Sequence, residues 1–354
     1  MKIEVIGIDL AKNVLQVHGV DEHGQVVLRK QLRRNRAMEF FAQRLPCLVG
    51  MEACGSAHEW ARRLTQLGYT VKLMAPQFVK PYVKANKNDA ADAEAICEAV
   101  GRPNMRFVPI KTLEQQAVLS VHRARQGFVR QRTAQANQIR GLLAEFGIVI
   151  PQGIQHVHKC LPEILEDAEN RLPGMFRQLL QQLGEHLKAL DTLVQEMEKQ
   201  VQRWHRENEA SRRLAEVAGI GVLTATALVA TVGDARNFRN GRQMAAWLGL
   251  VPRQHSSGGK PTLLGISKRG DRYLRTLLIH GARSVIQAVE RKARSSAEGN
   301  MGTVSSQDKR WLQALMSRKN KNVAAVALAN KNARAIWAML ARDQHYQPSL
   351  AAVA

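Results

Sequence analysis

Ile3-Glu4-Val5-Ile6-Gly7-Ile8-Asp9-Leu10, then Val14-Leu15-Gln16-Val17-His18-Gly19-Val20, then Gln25-Val26-Val27-Leu28-Arg29-Lys30-Gln31-Leu32, is the stretch that decides the fold. The first run is rich in Ile and Val and reads as a buried strand. The next two are further strands, separated by Asp21-Glu22-His23-Gly24, which has the chemistry of a hairpin turn. Working outward, Ala37–Leu45 reads as a short helix and Cys47–Glu52 as a strand. Ala57–Leu67 is a helix closed by Gly68, and Thr70–Met74 is another strand. Three meandering strands, then helix, strand, helix, strand, is the order of the ribonuclease-H-like fold, an α/β class.

From Asp89 onward the pattern is nearly all helix. Leu113–Phe146 has few breakers. Leu172–Trp204 carries Leu179, Leu183, Leu187, Leu190, Val194, Met197 and Val201 at coiled-coil-like spacings. That seam suits self-association, where Glu at Leu183 and Leu190 would break an oligomer, and equally suits one helix of a bundle within the chain. A further unit begins near Arg212 and runs to about Arg342, and the tail after Gln344 looks frayed. The expected division is 1–110, 111–210, 211–342 and a tail 343–354.

Fifty-two Lys and Arg against thirty Asp and Glu give a formal charge of +22. Self-repulsion of that size works against a compact enzyme of small metabolites, and a nucleic-acid partner removes the problem. A membrane surface ranks below, because no strongly amphipathic basic helix carries aromatic residues on its other face. The longest largely apolar run, Val222–Val232, is too short to span a bilayer, and Met1-Lys2 leads into a strand rather than a signal peptide. Cys47, Cys54, Cys97 and Cys160 form no C-x-x-C pair, which fits thiols in a reducing cytosol.

Asp9 and Glu52 stand where apolar strands would otherwise continue, and a carboxylate there must be paired or bind a cation. Asp89 and Asp92, in Lys87-Asn88-Asp89-Ala90-Ala91-Asp92-Ala93, share one face of a helix start. Singly, each has an ordinary explanation: a turn residue, a helix cap at Asp89, a first-turn acid at Asp92. Together they suit hard cations such as Mg²⁺, with Mn²⁺ as an alternative. Two such ions about 4 Å apart can clamp the attacking and leaving oxygens of a phosphodiester.

Gly219-Ile220-Gly221 between helical stretches reads either as the hairpin of a helix-hairpin-helix module, facing a phosphate, or as an ordinary tight turn. Ser256-Ser257-Gly258, framed by Arg253 and Lys260 and followed by Lys268 and Arg269, is a plausible phosphate site. From chemistry alone a solvated Ser-Gly loop is favoured there.

The motifs Gly7-Ile8-Asp9, Met51-Glu52, Lys87–Ala93, Ser256-Ser257-Gly258, Ile266-Ser267-Lys268-Arg269-Gly270 and Asn322–Lys331 resemble one family. It is the DEDD transposases of the insertion-sequence family numbered one-ten, subgroup eleven-eleven, together with the Piv-type DNA invertases. The resemblance runs from about Ile3 to Leu340. It implies a RuvC-like N-terminal domain with Asp9, Glu52, Asp89 and Asp92 as Mg²⁺ ligands, a helical linker that supports oligomers up to tetramers, and a C-terminal transposase domain. It further implies that a Ser before Gly, Ser257 with Ser256 as the alternative, attacks DNA and forms a phosphoserine. An element-encoded structured RNA would pair with target and donor DNA, leaving backbone and shape to a protein with only 5% aromatic residues. The expected protein is a nucleoid-associated cytoplasmic transposase acting on element ends and target. The competing readings are a RuvC-type hydrolytic nuclease or junction resolvase, with Ser257 structural, and a non-catalytic nucleic-acid-binding protein.

Overall fold

The computed structural model describes residues 2–83, 88–294 and 306–347. Lys87 of the acidic motif and the tail beyond residue 347 lie outside the described residues. The fold is mixed α/β and mostly helical, and it divides into two compact units, 1–112 and 113–354, the first of which holds a six-stranded mixed sheet.

The first unit runs β1 (Val5–Leu10), β2 (Val14–Val20), β3 (Val26–Arg33), α1 (Arg34–Ala42), β4 (Leu48–Glu52), α2 (Ala57–Gln66), β5 (Thr70–Met74), α3 (Pro76–Val79), α4 (Asp89–Val100) and β6 (Phe107–Val108). The sheet order is β3-β2-β1-β4-β5-β6. β1 pairs antiparallel with β2 and parallel with β4. At the turn after β2, Asp21 Oδ1 accepts from the N–H groups of His23 and Gln25, and Gly24 takes a positive φ of 75°. Alternation sends Ile6, Ile8, Val49 and Met51 into a core with Phe41, Trp60 and Leu64 of α1 and α2. The opposite face carries Gly7 and Gly50, which pair across β1 and β4, and α4 lies on them. A Cβ on Gly7 would run into the backbone of Ala93 and Cys97, and one on Gly50 would meet Val100 at 2.7 Å. Glycine in both strands is therefore what lets the helix approach so closely.

The second unit runs α5 (Leu113–Ala144), α6 (Ile154–Glu166), α7 (Gly174–Glu207), α8 (Glu209–Leu214), α9 (Val222–Val232), α10 (Gly241–Trp247), β7 (Pro252–Ser257), β8 (Lys260–Ile266), α11 (Arg272–Arg294), α12 (Ser306–Met316) and α13 (Lys321–Arg342). Along α7, Leu187, Leu190, Val194 and Val201 are buried within the chain, whereas Leu179 is 40% exposed. The partner helix is α5, joined to it by Arg125–Glu198 (2.5 Å) and Arg132–Asp191 (3.0 Å). The seam that suggested a coiled coil is thus occupied, over those positions, by a helix of the same chain. His122 on α5 is buried, its ring within 3.0 Å of Tyr273 Oη and Thr226 Oγ1. Burial, then the charge of Arg125, lowers its pKa to about 4. No described helix is long and apolar enough to cross a membrane.

The segment around Ser257, expected as a Gly-flanked loop, is a two-stranded antiparallel hairpin. Gly258 and Gly259 both have positive φ, 57° and 75°, as a two-residue turn of the I′ kind demands. Its root is held by two glycines. A Cβ on Gly249 (φ 74°) would strike the Arg269 carbonyl, and one on Gly270 (φ 89°) the Trp247 carbonyl. Buried Arg275 donates to the carbonyls of Leu248 (3.2 Å) and Arg269 (3.3 Å). Gly249→Ala should therefore cost roughly 3 kcal/mol, combining left-handed strain with a backbone collision. The check is the urea midpoint, with exposed Gly265→Ala as the control; an unmoved midpoint would contradict the close contact.

Candidate metal centre and hairpin site

Asp9 lies two residues beyond Gly7 on β1, so its side chain leaves the sheet on the face that α4 covers. The same alternation relates Glu52 to Gly50 on β4. Asn88 caps α4, its side chain accepting from Ala91 N–H at 2.8 Å. Sequence chemistry alone favoured Asp89 as the cap. With Asn88 in that role, Asp89 and Asp92 occupy the first turn, where the helix dipole favours negative charge.

The close seating of α4 brings three of the carboxylates together. Oxygens of Asp9, Asp89 and Asp92 all lie within 4.8 Å of one another. Asp9 and Asp92 are half-buried and Asp89 is exposed, so the cluster is open on one side. Glu52 is outside that trio, at the end of the neighbouring strand. It is nonetheless close enough that Glu52 and Asp9, after burial, are the charges that push the Cys54 thiol pKa up. A set of oxygen donors alone, gathered at one opening, fits a hard divalent cation.

In the second unit, Ser257 ends β7 and pairs with Lys260; Ser256 pairs with Pro261. Successive strand residues point to opposite faces, so the two hydroxyls are on opposite sides of the ribbon. Ser256 Oγ already accepts from Gln254 Nε2 at 2.8 Å. The whole ribbon up to Gly265 is exposed, including Arg253 and Lys260, as are Lys268 and Arg269 at its root. Lys268 takes a positive φ of 55°, which lets the chain turn into Gly270.

Gly219 and Gly221 separate in role. Gly219 (φ 85°) packs on the α11 backbone, where a Cβ would lie 2.8 Å from the Gly281 carbonyl oxygen. Gly221 is exposed at the N-terminus of α9 with open space around it. The contact with Gly281 accounts for glycine at 219 without a phosphate.

Two family models match the chain: an IS110-type DEDD transposase model over residues 6–148, and the IS116/IS110/IS902 transposase family over 211–298. A probable family 20 transposase of Pseudomonas aeruginosa is 53% identical, with 98% of this chain and all of the relative aligned. The transposase for insertion sequence element IS1328 of Yersinia enterocolitica is 44% identical over 95% of this chain and 96% of its own length. The corresponding figures for the IS1111A transposase of Coxiella burnetii are 43%, 98% and 92%.

Proposed function

This chain belongs to the IS110 family of insertion-sequence transposases, and from that premise we propose that it cuts and rejoins DNA through a divalent-metal centre and a covalent phosphoserine. The observation that carries the reading is the Asp9–Asp89–Asp92 cluster, with Glu52 on the adjoining strand. A sheet in which β1 runs between an antiparallel β2 and a parallel β4 supports a RuvC-like, ribonuclease-H-like assignment for the first unit.

The carboxylates would hold Mg²⁺, or Mn²⁺ in its place, which supplies positive charge to the phosphodiester as it is attacked. The chain's own residues do the rest. Asp9 is positioned by β1, Glu52 by β4, and Asp89 and Asp92 by the capped first turn of α4. Ser257 Oγ attacks the phosphorus, and the bond retained in the phosphoserine makes rejoining possible without new energy. Lys260 opposite it, with Arg253, Lys268 and Arg269 nearer the root, would hold phosphates, and the open N-terminus of α9 at Gly221 would hold another. Residues 1–110 would carry the metal, 111–210 the linker, and 211–342 the nucleophile.

A structured RNA encoded by the element would choose the sequence by pairing, and two to four copies would assemble on DNA. The +22 charge with 5% aromatic content supports a protein that grips backbones more than bases.

The test is a labelled duplex carrying the DNA that flanks the gene, incubated with protein and its co-purifying RNA. Cleavage should require Mg²⁺ or Mn²⁺ and stop with chelator; cleavage in excess chelator would overturn the metal centre. Binding should also fall steeply with salt. If about 6–10 phosphates are neutralised, affinity drops roughly 10³–10⁵-fold between 50 and 200 mM salt. A flat titration would mean that the charge serves something else.

A further inference from the structure

We propose that His255 is the proton acceptor for Ser257, and that it returns the same proton when the DNA is resealed. The proposal rests on Ser257 being the nucleophile. His255 pairs with Thr262 and Ser257 with Lys260, so alternation places His255, Ser257, Lys260 and Thr262 on one face of the ribbon. The other face carries Gln254, Ser256, Pro261 and Leu263. The two faces differ in chemistry: one is polar with a cation, an imidazole and two hydroxyls, whereas the other ends on Pro261 and exposed Leu263.

Residues two apart on a strand are about 6.6 Å apart along the backbone. An imidazole and a short hydroxyl side chain span that distance directly or through one water, which is the reach required of a general base. Among the described residues, neither the His255 ring nor the Ser257 hydroxyl has a hydrogen-bond partner, whereas the Ser256 hydroxyl is engaged by Gln254. β7 and β8 pack chiefly on each other. Lys260 is thus the other charged group on the face, with Arg253 at the irregular pairing near the root. Lys260 offers N–H donors and no acceptor, which suits a phosphate. The imidazole is the group on this face whose ring nitrogen can take up a proton and hand it back.

The Ser257 Oγ–phosphorus bond forms as the hydroxyl proton passes to the imidazole. The phosphorus–oxygen bond to deoxyribose breaks, and that oxygen takes a proton from water. On resealing, a deoxyribose hydroxyl attacks the phosphoserine, gives its proton to water, and the Ser257 oxygen leaves with the proton held by His255. An acceptor that also serves as donor suits a reaction run in both directions.

The experiment follows adduct formation in a single turnover, with full-length protein, RNA, DNA and Mg²⁺, across about pH 5–8. Wild-type protein, His255→Ala, His255→Gln and Ser257→Ala are compared. His255→Ala and His255→Gln should form the adduct about 10²–10⁴-fold more slowly, lose the rise with pH, and keep wild-type DNA affinity. Added imidazole should restore part of the His255→Ala rate and leave Ser257→Ala inert. A His255→Ala protein with the wild-type rate and pH profile overturns the assignment and leaves Ser257 standing. So does one that is slowed equally at every pH and not rescued. Wild-type protein that reacts without any adduct on Ser257 overturns both.

Discussion

Asp9→Ala is expected to lower DNA strand cleavage by at least ~10³-fold, since even one neutral transition-state donor is worth 10²–10³. Asp9, Asp89 and Asp92 offer oxygens within 4.8 Å of one another, so removing one would take away a ligand and one of the four negative charges proposed to hold the cation. Asp89→Ala, Asp92→Ala and Glu52→Ala should behave alike. All four positions are at strand ends or in a first helical turn, and none is in the buried core, so the variants should fold and still bind nucleic acid. A second readout separates ligand loss from misfolding. Mg²⁺ at about 100 times its dissociation constant should stabilise the wild-type protein by about 2.7 kcal/mol, and Asp9→Ala by much less. Full recombination by Asp9→Ala would remove the metal centre from the account.

Ser257→Ala is expected to abolish strand exchange and the protein–DNA adduct while leaving DNA and RNA binding unchanged. The substitution deletes one exposed hydroxyl from the end of a hairpin whose turn is set by Gly258 and Gly259, so the ribbon should keep its register. Ser256→Ala is the internal control. It removes only the acceptor for Gln254 on the opposite face and should be milder. Gel analysis of denatured reactions checks both. Normal exchange by Ser257→Ala with no adduct on any residue would replace covalent transfer with metal-dependent hydrolysis.

Much of the first unit was legible because its signals are local. Val14–Val20 and Thr70–Met74 are strands over the range their Val and Leu content marks, and Gly68 closes α2 with a φ of 88°. Asp9 stood out because an acid at the end of an Ile-rich run has no place in a core. The end of α1 was less legible: the helix spans Arg34–Ala42, beginning and ending three residues before the apolar pattern suggested. β6 is only Phe107-Val108, too short for any periodicity. The hairpin of β7 and β8 escaped because Pro252–Ser257 is polar and exposed on both faces, leaving the Gly258-Gly259 pair as its only sequence mark. For α7, the spacing of Leu187, Leu190 and Val194 is the same whether the facing helix is α5 or another chain's, so pattern alone left the partner open. The burden on Gly219 comes from Gly281, a contact distant in sequence that no local reading reveals.

The most direct test is peptide mapping of the wild-type reaction. Full-length protein, Mg²⁺, RNA and DNA are mixed, denatured before resealing is complete, digested with nuclease and protease, and analysed by mass spectrometry. The expected result is a phosphonucleotide on Ser257, absent when Asp9→Ala protein or chelator is used. Cleaved DNA in normal yield with every peptide across Ser256 and Ser257 unmodified would contradict it.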